Sequence, residues 1–145
     1  MGSDDRGADA VLPSVVCLAG DAIADKDGRP VLVGARCNDC GTLAFPRVAV
    51  CSKCMSESFT DEPMPERGRL YSWTTVHVGP ARMNKPIVLG YVDLENGVRV
   101  FSHLASGGRP LMIDQPVKLA VATVGKEADG RPIETFVFTP AETNQ

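Results

Sequence analysis

The stretch RCNDCGTLAFPRVAVCSKC, residues 36–54, decides how this chain folds. It contains two Cys-x-x-Cys pairs, formed by Cys37 with Cys40 and by Cys51 with Cys54. A Cys-x-x-Cys turn directs two thiolates towards one point, and two such turns complete the tetrahedron that zinc prefers. The spacing therefore predicts a zinc ribbon held by four sulfur ligands.

The ligand set also indicates what the metal does. Four thiolates fill the coordination sphere, whereas a catalytic zinc keeps one position open for water or substrate. We therefore expect a structural zinc, which replaces a hydrophobic core that so short a module cannot build. Iron in a rubredoxin-like centre remains open, because the same four thiolates bind either metal.

Composition limits the classes of protein that fit. The chain has 145 residues, 43% hydrophobic and 23% charged, with a net charge of -3. The size fits one compact domain with a small appended module, and the charge gives no general attraction to nucleic acid or anionic membranes. No apolar run approaches the roughly 20 residues that span a bilayer. Unpaired Cys17, in an apolar setting, is expected to be a buried thiol, and we place the protein in the cytoplasm.

The segments on either side of the cysteines predict a mainly β protein. Apolar residues at helical spacing between Val11 and Ile23 predict a short amphipathic helix, and residues 30–37 predict a strand that leads into the first cysteine pair. Residues 55–68, with two prolines and several acidic residues, are expected to connect two modules. Five strands are predicted beyond them, at 69–78, 87–94, 98–105, 116–124 and 133–140.

Five short strands in about 70 residues indicate a small barrel, because closure removes exposed strand edges. An OB-fold is the leading prediction, and strand counting leaves a five-stranded SH3-like barrel open. The expected organisation is a tail and helix at 1–29, a rubredoxin-like zinc ribbon at 30–60 and a five-stranded OB-fold barrel at 61–145.

Several motifs together resemble a known two-module family. They are LVGARCNDCGTLAFPRVAVCSKC, RGRLYSWTTVHVGP, KPIVLGYVDLENGVRVFSHL and QPVKLAV, which occur in this order across roughly residues 30–140. This combination is similar to proteins with a rubredoxin-like zinc ribbon and an OB-fold, long catalogued as domain of unknown function thirty-five. One departure is that Met55 follows the second cysteine pair, where many relatives have glycine.

The resemblance implies an accessory role. Members of this family are non-catalytic partners of thiolase-fold proteins, including acyl-CoA thiolases and aldolases that cleave CoA thioesters. By that likeness the chain would bind a thiolase-fold subunit and help to form or gate the site for CoA or acyl-CoA, while the partner supplies the nucleophile.

The residues themselves give no sign of an independent active site. The two histidines, His77 and His103, belong to no catalytic metal pattern, and the sequence has no nucleophile elbow or phosphate-binding loop. We therefore expect no activity from the chain alone.

Aromatic and basic residues suggest binding surfaces. Trp73 is a candidate anchor at the partner interface. Arg82 and Lys85 lie in the loop GPARMNKP, between the first two barrel strands, and are candidate contacts for the phosphates of CoA. Two other functions remain open, a nucleic-acid-binding module that stacks bases on Tyr71, Trp73 and Phe101 and a rubredoxin-like electron carrier. The acidic chain and its 6% aromatic content argue against nucleic acid.

Overall fold

A computed structural model describes residues 15–141. One turn of 3-10 helix covers Gly20–Ala22. The strands are β1 Val16–Cys17, β2 Ile23–Lys26, β3 Arg29–Cys37, β4 Leu43–Ala44, β5 Phe59–Pro63, β6 Arg67–Val76, β7 Ile87–Leu94, β8 Arg99–Leu104, β9 Pro116–Lys126 and β10 Pro132–Pro140. Across these residues no helix is long and apolar enough to cross a bilayer.

The last five strands form the barrel. Their order is β9-β6-β7-β8-β10, and β10 pairs with β9 to close the ring. Every pairing within the ring is antiparallel except that of β8 with β10, where Val137 lies opposite His103. A five-stranded barrel of this kind is an OB-fold, so the leading prediction is confirmed and the SH3-like alternative is not.

The turn between β7 and β8 shows how the sequence fixes the register. Gly97 has a φ of 90°, in the left-handed region that glycine enters easily, and its N–H donates to the carbonyl of Leu94. The side chain of Asn96 accepts a hydrogen bond from the backbone of Val98. The Asn-Gly pair therefore forms the tight hairpin turn that this dipeptide favours.

A smaller sheet precedes the barrel. Strand β3 pairs with β2, β4 and β5, all antiparallel, and it delivers Cys37 at its end. Arg36 on β3 also forms a two-pronged ion pair with Glu62 on β5. Strand β5 lies within the segment expected to be a plain connector, so that expectation is wrong over residues 59–63. The acidic residues of β5 face solvent or pair with arginine. The strand therefore lacks the apolar alternation by which a strand is predicted from sequence.

The two sheets share one hydrophobic core. Leu32 on β3 and Met64 after β5 pack into the same cluster as the barrel residues. The barrel members of that cluster are Leu70, Val92, Leu94, Val100, Leu104, Val117, Leu119 and Phe138. Phe45 of the ribbon also meets Phe136 of β10 edge to face, with ring centroids 5.9 Å apart. The ribbon is therefore packed against the barrel.

The expected N-terminal helix is wrong over residues 15–23. That segment forms β1, the 3-10 turn and the start of β2, and β1 pairs in parallel with β10. Pairing with a strand more than 100 residues away has overridden a helical spacing of apolar residues. The part of the predicted helix before residue 15 lies outside the described residues.

Candidate functional site

Two matching turns carry the four cysteines. In the first, the N–H of Gly41 donates to the carbonyl of Cys37 at 2.9 Å, and in the second, the N–H of Met55 donates to the carbonyl of Cys51 at 3.0 Å. Gly41 and Met55 both have positive φ, 81° and 69°. Each turn therefore has the same shape, although only the first has the glycine that this conformation favours.

The turns bring all four sulfur atoms together, and they lie within 4.8 Å of one another. The Sγ atoms of Cys37 and Cys54 are 3.5 Å apart, and those of Cys40 and Cys51 are 3.6 Å apart. Zinc–sulfur bonds of about 2.3 Å in a tetrahedron place neighbouring sulfurs roughly 3.8 Å apart. The cluster therefore fits a single metal ion with four sulfur ligands, as the spacing predicts.

Backbone N–H groups prepare two of the sulfurs to be thiolates. Hydrogen bonds from the N–H groups of Cys54 and Lys53 lower the pKa of the Cys51 thiol to about 6. The N–H of Cys40 likewise lowers the pKa of Cys37. Metal binding needs the deprotonated form, so these hydrogen bonds favour it.

The thiol of Cys54 shows why four thiolates at this site need a cation. The N–H of Ser56 acts to lower the pKa of Cys54, but burial and the neighbouring sulfurs outweigh it and raise that pKa to about 12. Four negative charges at this separation repel one another unless a cation lies between them. The donor set thus fits a divalent metal.

Four exposed aromatic side chains lie on β6, β7 and β8. They are Tyr71, Trp73, Tyr91 and Phe101. Tyr91 faces Phe101 across the β7–β8 ladder, with ring centroids 5.0 Å apart. Trp73, 38% exposed, is also on β6 but lies directly opposite Gly90, so it is on the other face of the sheet from Tyr91. We call Tyr71, Tyr91 and Phe101 the aromatic face.

Arg99 holds one side of the aromatic face in place. Its guanidinium lies 3.6 Å from the centre of the Tyr71 ring and donates two hydrogen bonds to the carboxylate of Asp93. Sequence reasoning identified Tyr71, Trp73 and Phe101 but missed Tyr91 and Arg99. The alternation in GYVDL could have indicated Tyr91, because it alternates with buried Val92.

The two candidate cations in the loop before β7, Arg82 and Lys85, have different contacts. The ammonium of Lys85 donates to the carbonyls of Pro80 and Met83, at 2.8 and 3.2 Å. The backbone carbonyl of Arg82 accepts from the N–H of Lys126 at 2.8 Å, while its side chain is exposed. This carbonyl lies so close to Gly125 that an added Cβ there would be 2.2 Å from it. The loop is therefore fastened to β9, with Arg82 facing solvent.

The remaining titratable candidates do not form a site. His77 is exposed just after β6, whereas burial lowers the pKa of half-buried His103 on β8 and favours the neutral ring. Cys17, expected to be buried, is exposed on β1. The β1 strand lies at the margin of the sheet, which leaves this side chain uncovered.

Two models of known protein families match this chain, one over the smaller sheet and one over the barrel. Residues 25–60 match a family model described as ChsH2, rubredoxin-like zinc ribbon domain. Residues 61–122 match one described as ChsH2, C-terminal OB-fold domain. The chain belongs to the ChsH2 family. The resemblance seen in the sequence is thereby confirmed, since a solved ChsH2 structure also carries the DUF35 designation.

Several ChsH2-family relatives have assigned names. The benzoylsuccinyl-CoA thiolase subunit BbsA of Thauera aromatica is 39% identical, covering 79% of this chain and 81% of the relative. BbsA of Geobacter metallireducens is 34% identical, covering 78% and 77%. A solved structure named Ltp2-ChsH2(DUF35) aldolase superposes with a TM-score of 0.62 at 29% identity, covering 77% of this chain and 86% of that one.

Proposed function

We propose that this chain is a non-catalytic accessory subunit of a thiolase-fold enzyme that acts on acyl-CoA. The observation that carries the proposal is the similarity to a benzoylsuccinyl-CoA thiolase subunit across about four fifths of both chains. The likeness to an Ltp2-ChsH2 aldolase structure supports a thiolase or aldolase partner in the same way. The partner provides the catalytic residues, and this chain helps to form or gate the site for CoA.

The metal's role in this proposal is structural. Cys37, Cys40, Cys51 and Cys54 hold one zinc ion, whose charge offsets their thiolates. Four sulfur ligands leave no open position for water or substrate, so the zinc takes no part in the reaction. It fixes the ribbon, which lies against the barrel through Phe45. A reducing compartment such as the cytoplasm keeps these thiols available for the metal.

The aromatic face, together with Trp73 on the same strand as Tyr71, is the surface we assign to the partner subunit, with Trp73 as the anchor. Monomeric proteins rarely leave several large aromatic side chains exposed side by side, and tryptophan and tyrosine are frequent anchors at interfaces. The ring contacts among these residues and Arg99 support a surface that is ordered before binding.

For CoA we keep Arg82 and Lys85 as candidate contacts. The exposed guanidinium of Arg82 supports a direct contact with a phosphate group. Lys85 already binds two loop carbonyls, which supports a role in shaping the loop around Arg82.

The division into a zinc ribbon at 30–60 and a barrel at 61–145 is also part of the proposal. The two family models meet between residues 60 and 61, which supports that boundary.

Reconstitution tests the proposed function. The chain is isolated gently from its source cells, and a protein that co-purifies in near-equal amount is identified by mass spectrometry. We expect a thiolase-fold subunit. The two subunits, expressed separately, should show little acyl-CoA turnover alone and regain it when mixed. Recovery of this chain without such a subunit, or a partner equally active alone, contradicts the proposal.

The aromatic face also gives a reason to test nucleic acid binding, since OB-folds stack bases on aromatic side chains. Against it, Arg99 on this face is already bound to Asp93. Salt-sensitive retention of single-stranded oligonucleotide, lost in Trp73→Ala, would favour that alternative over the thiolase partner.

A further inference from the structure

The barrel has an open seam between β6 and β9. These strands pair only over three positions at one end, from Arg67 opposite Lys118 to Arg69 opposite Pro116. Beyond Leu70, whose backbone bonds to Asp114 and Gln115, β6 continues alongside β7 as far as Val76. Within residues 15–141 no strand pairs with the other edge of β6 over residues 71–76. The seam is therefore bordered on one side by a free strand edge.

The opposite border of the seam is partly covered. Loop residues Arg82 and Asn84 form backbone hydrogen bonds with Lys126 and Val124 on β9. Between these bonds and the β6 pairing, residues 120–123 of β9 have no strand neighbour on this side among the described residues. The gap is thus bounded at both ends.

The free edge lacks the features that usually keep strand edges apart from other chains. Residues 71–76 read YSWTTV, and residues 119–124 of β9 read LAVATV, with no charge and no proline in either run. Soluble proteins normally protect an edge with lysine, proline or a covering segment, because an exposed, uncharged edge pairs with other strands. Thr74 and Thr75 are exposed here, as is Val121 across the gap. This composition suits an edge that is covered in the assembled protein.

Charge indicates what kind of segment covers it. The charged side chains on β6 and β9 are Arg67, Arg69, Lys118 and Lys126, all cationic in a chain whose net charge is -3. None of the four forms an ion pair within the part of the chain that the structure describes. Arg67 and Lys118 lie directly opposite each other, an unfavourable arrangement unless an anionic group is nearby.

From this combination we infer that an extended segment of the thiolase-fold partner, carrying acidic residues, adds to the edge of β6 over residues 71–76 as a further strand. The inference rests on the proposed function for the identity of the partner. Backbone hydrogen bonds to residues 71–76 supply the contact, and the cations of β6 and β9 select an acidic sequence. Tyr71, at the start of this stretch, belongs to the aromatic face, and Trp73, the proposed anchor, lies within the stretch, so this edge is continuous with the surface assigned to the partner.

Hydrogen exchange, read at single-amide resolution, tests the strand addition. In the isolated chain, alternate amides of residues 72–76 should exchange quickly, because only the others bond to β7. In the purified complex with the co-purified thiolase-fold subunit, those fast amides should exchange at least about ten-fold more slowly. A stable complex whose edge amides still exchange quickly overturns the strand addition and leaves the proposed function intact.

Charge reversal provides the second readout. Lys118→Glu combined with Lys126→Glu should weaken the complex about ten-fold or more at low salt, with a smaller effect at high salt. The matched control, Lys118→Arg combined with Lys126→Arg, keeps both positive charges and should change the dissociation constant by less than about two-fold. Equal effects from both sets overturn the assignment of the seam to an acidic segment.

Two further outcomes also contradict the inference. Slow exchange over residues 72–76 in the isolated chain, together with a dimeric mass, would assign the edge to a second copy. Failure to recover any thiolase-fold subunit would contradict the proposed function and remove the partner on which the strand addition depends.

Discussion

Met55 adopts a backbone conformation that costs a side-chain-bearing residue energy. Gly41 takes the same position in the first cysteine turn without that cost. We expect Met55→Gly to stabilise the zinc-bound protein by about 1 kcal/mol, because a left-handed φ is strained for methionine. Methionine is 74% exposed here, so little packing is lost.

Thermal unfolding of the zinc-bound protein measures this effect. Met55→Gly should raise Tm by about 3 °C, and the mirror-image change Gly41→Met should lower it. If both changes lower Tm, the side chain of Met55 contributes more than its backbone strain costs.

Loss of one sulfur ligand should release the metal. Cys40→Ala leaves three thiolates, and we expect zinc content to fall from one ion per chain to near zero, with loss of order in the ribbon and of docking. Metal analysis and hydrogen exchange over residues 36–59 measure this, with Cys17→Ala as the control that should keep its zinc. A Cys40→Ala variant that remains folded and still docks contradicts a structural metal.

The two loop cations should have different effects on the reconstituted enzyme. Arg82→Ala should raise KM for acyl-CoA about five-fold with kcat unchanged, as expected for the loss of one exposed charge contact. Lys85→Ala should loosen the loop, because the ammonium of Lys85 binds the carbonyls of Pro80 and Met83. This loosening is measured as faster amide exchange at Asn84. If Arg82→Ala leaves KM unchanged, Arg82 is not a phosphate contact.

Residue by residue, the sequence predicts the metal cluster better than the aromatic face. Four cysteines in two short turns need only local geometry to converge. Tyr91 and Phe101 meet only because the β7–β8 register places them opposite each other, and Arg99 on β8 reaches Tyr71 on β6 across the intervening strand β7. Register depends on the whole barrel, so this contact could not be read from the sequence alone.

At the scale of elements, the five barrel strands were predicted within a few residues, because each combines alternating burial with turn residues at its ends. The N-terminal helix was wrong for a different reason. Residues 15–23 are rich in small and β-branched residues, which fit either a helix or a strand. Pairing of β1 with β10 favours the strand. Strand β5 was missed because it is mostly exposed and acidic.

The sheet formed by β6, β7 and β8 leads to a prediction about docking. Trp73→Ala should weaken binding of the thiolase-fold subunit by at least about 2 kcal/mol, or roughly 30-fold, since exposed tryptophans at interfaces are frequent anchors. Calorimetry measures the dissociation constant, and Val48→Ala, at an exposed apolar position of the ribbon, serves as the control. An unchanged constant in Trp73→Ala would remove this residue from the interface.

For the whole molecule, the shared core predicts that ribbon and barrel unfold together. Leu32 and Met64 enter the barrel's cluster, so loss of the metal should weaken packing around residues far from the cysteines. With a chelator present, calorimetry should show one transition at a lower temperature. Two separate transitions, one of them unchanged, would show that the sheets are energetically independent.

The edge-to-face contact between Phe45 and Phe136 has a consequence for the supply of the enzyme. We expect a chain synthesised without zinc to lack the fixed turns on either side of Phe45, and so to lose an ordered cover over β10. If docking requires that cover, the amount of assembled enzyme follows the zinc available when the chain folds. Under the proposed function, metal limitation would then reduce acyl-CoA turnover through a subunit that contributes no catalytic residue.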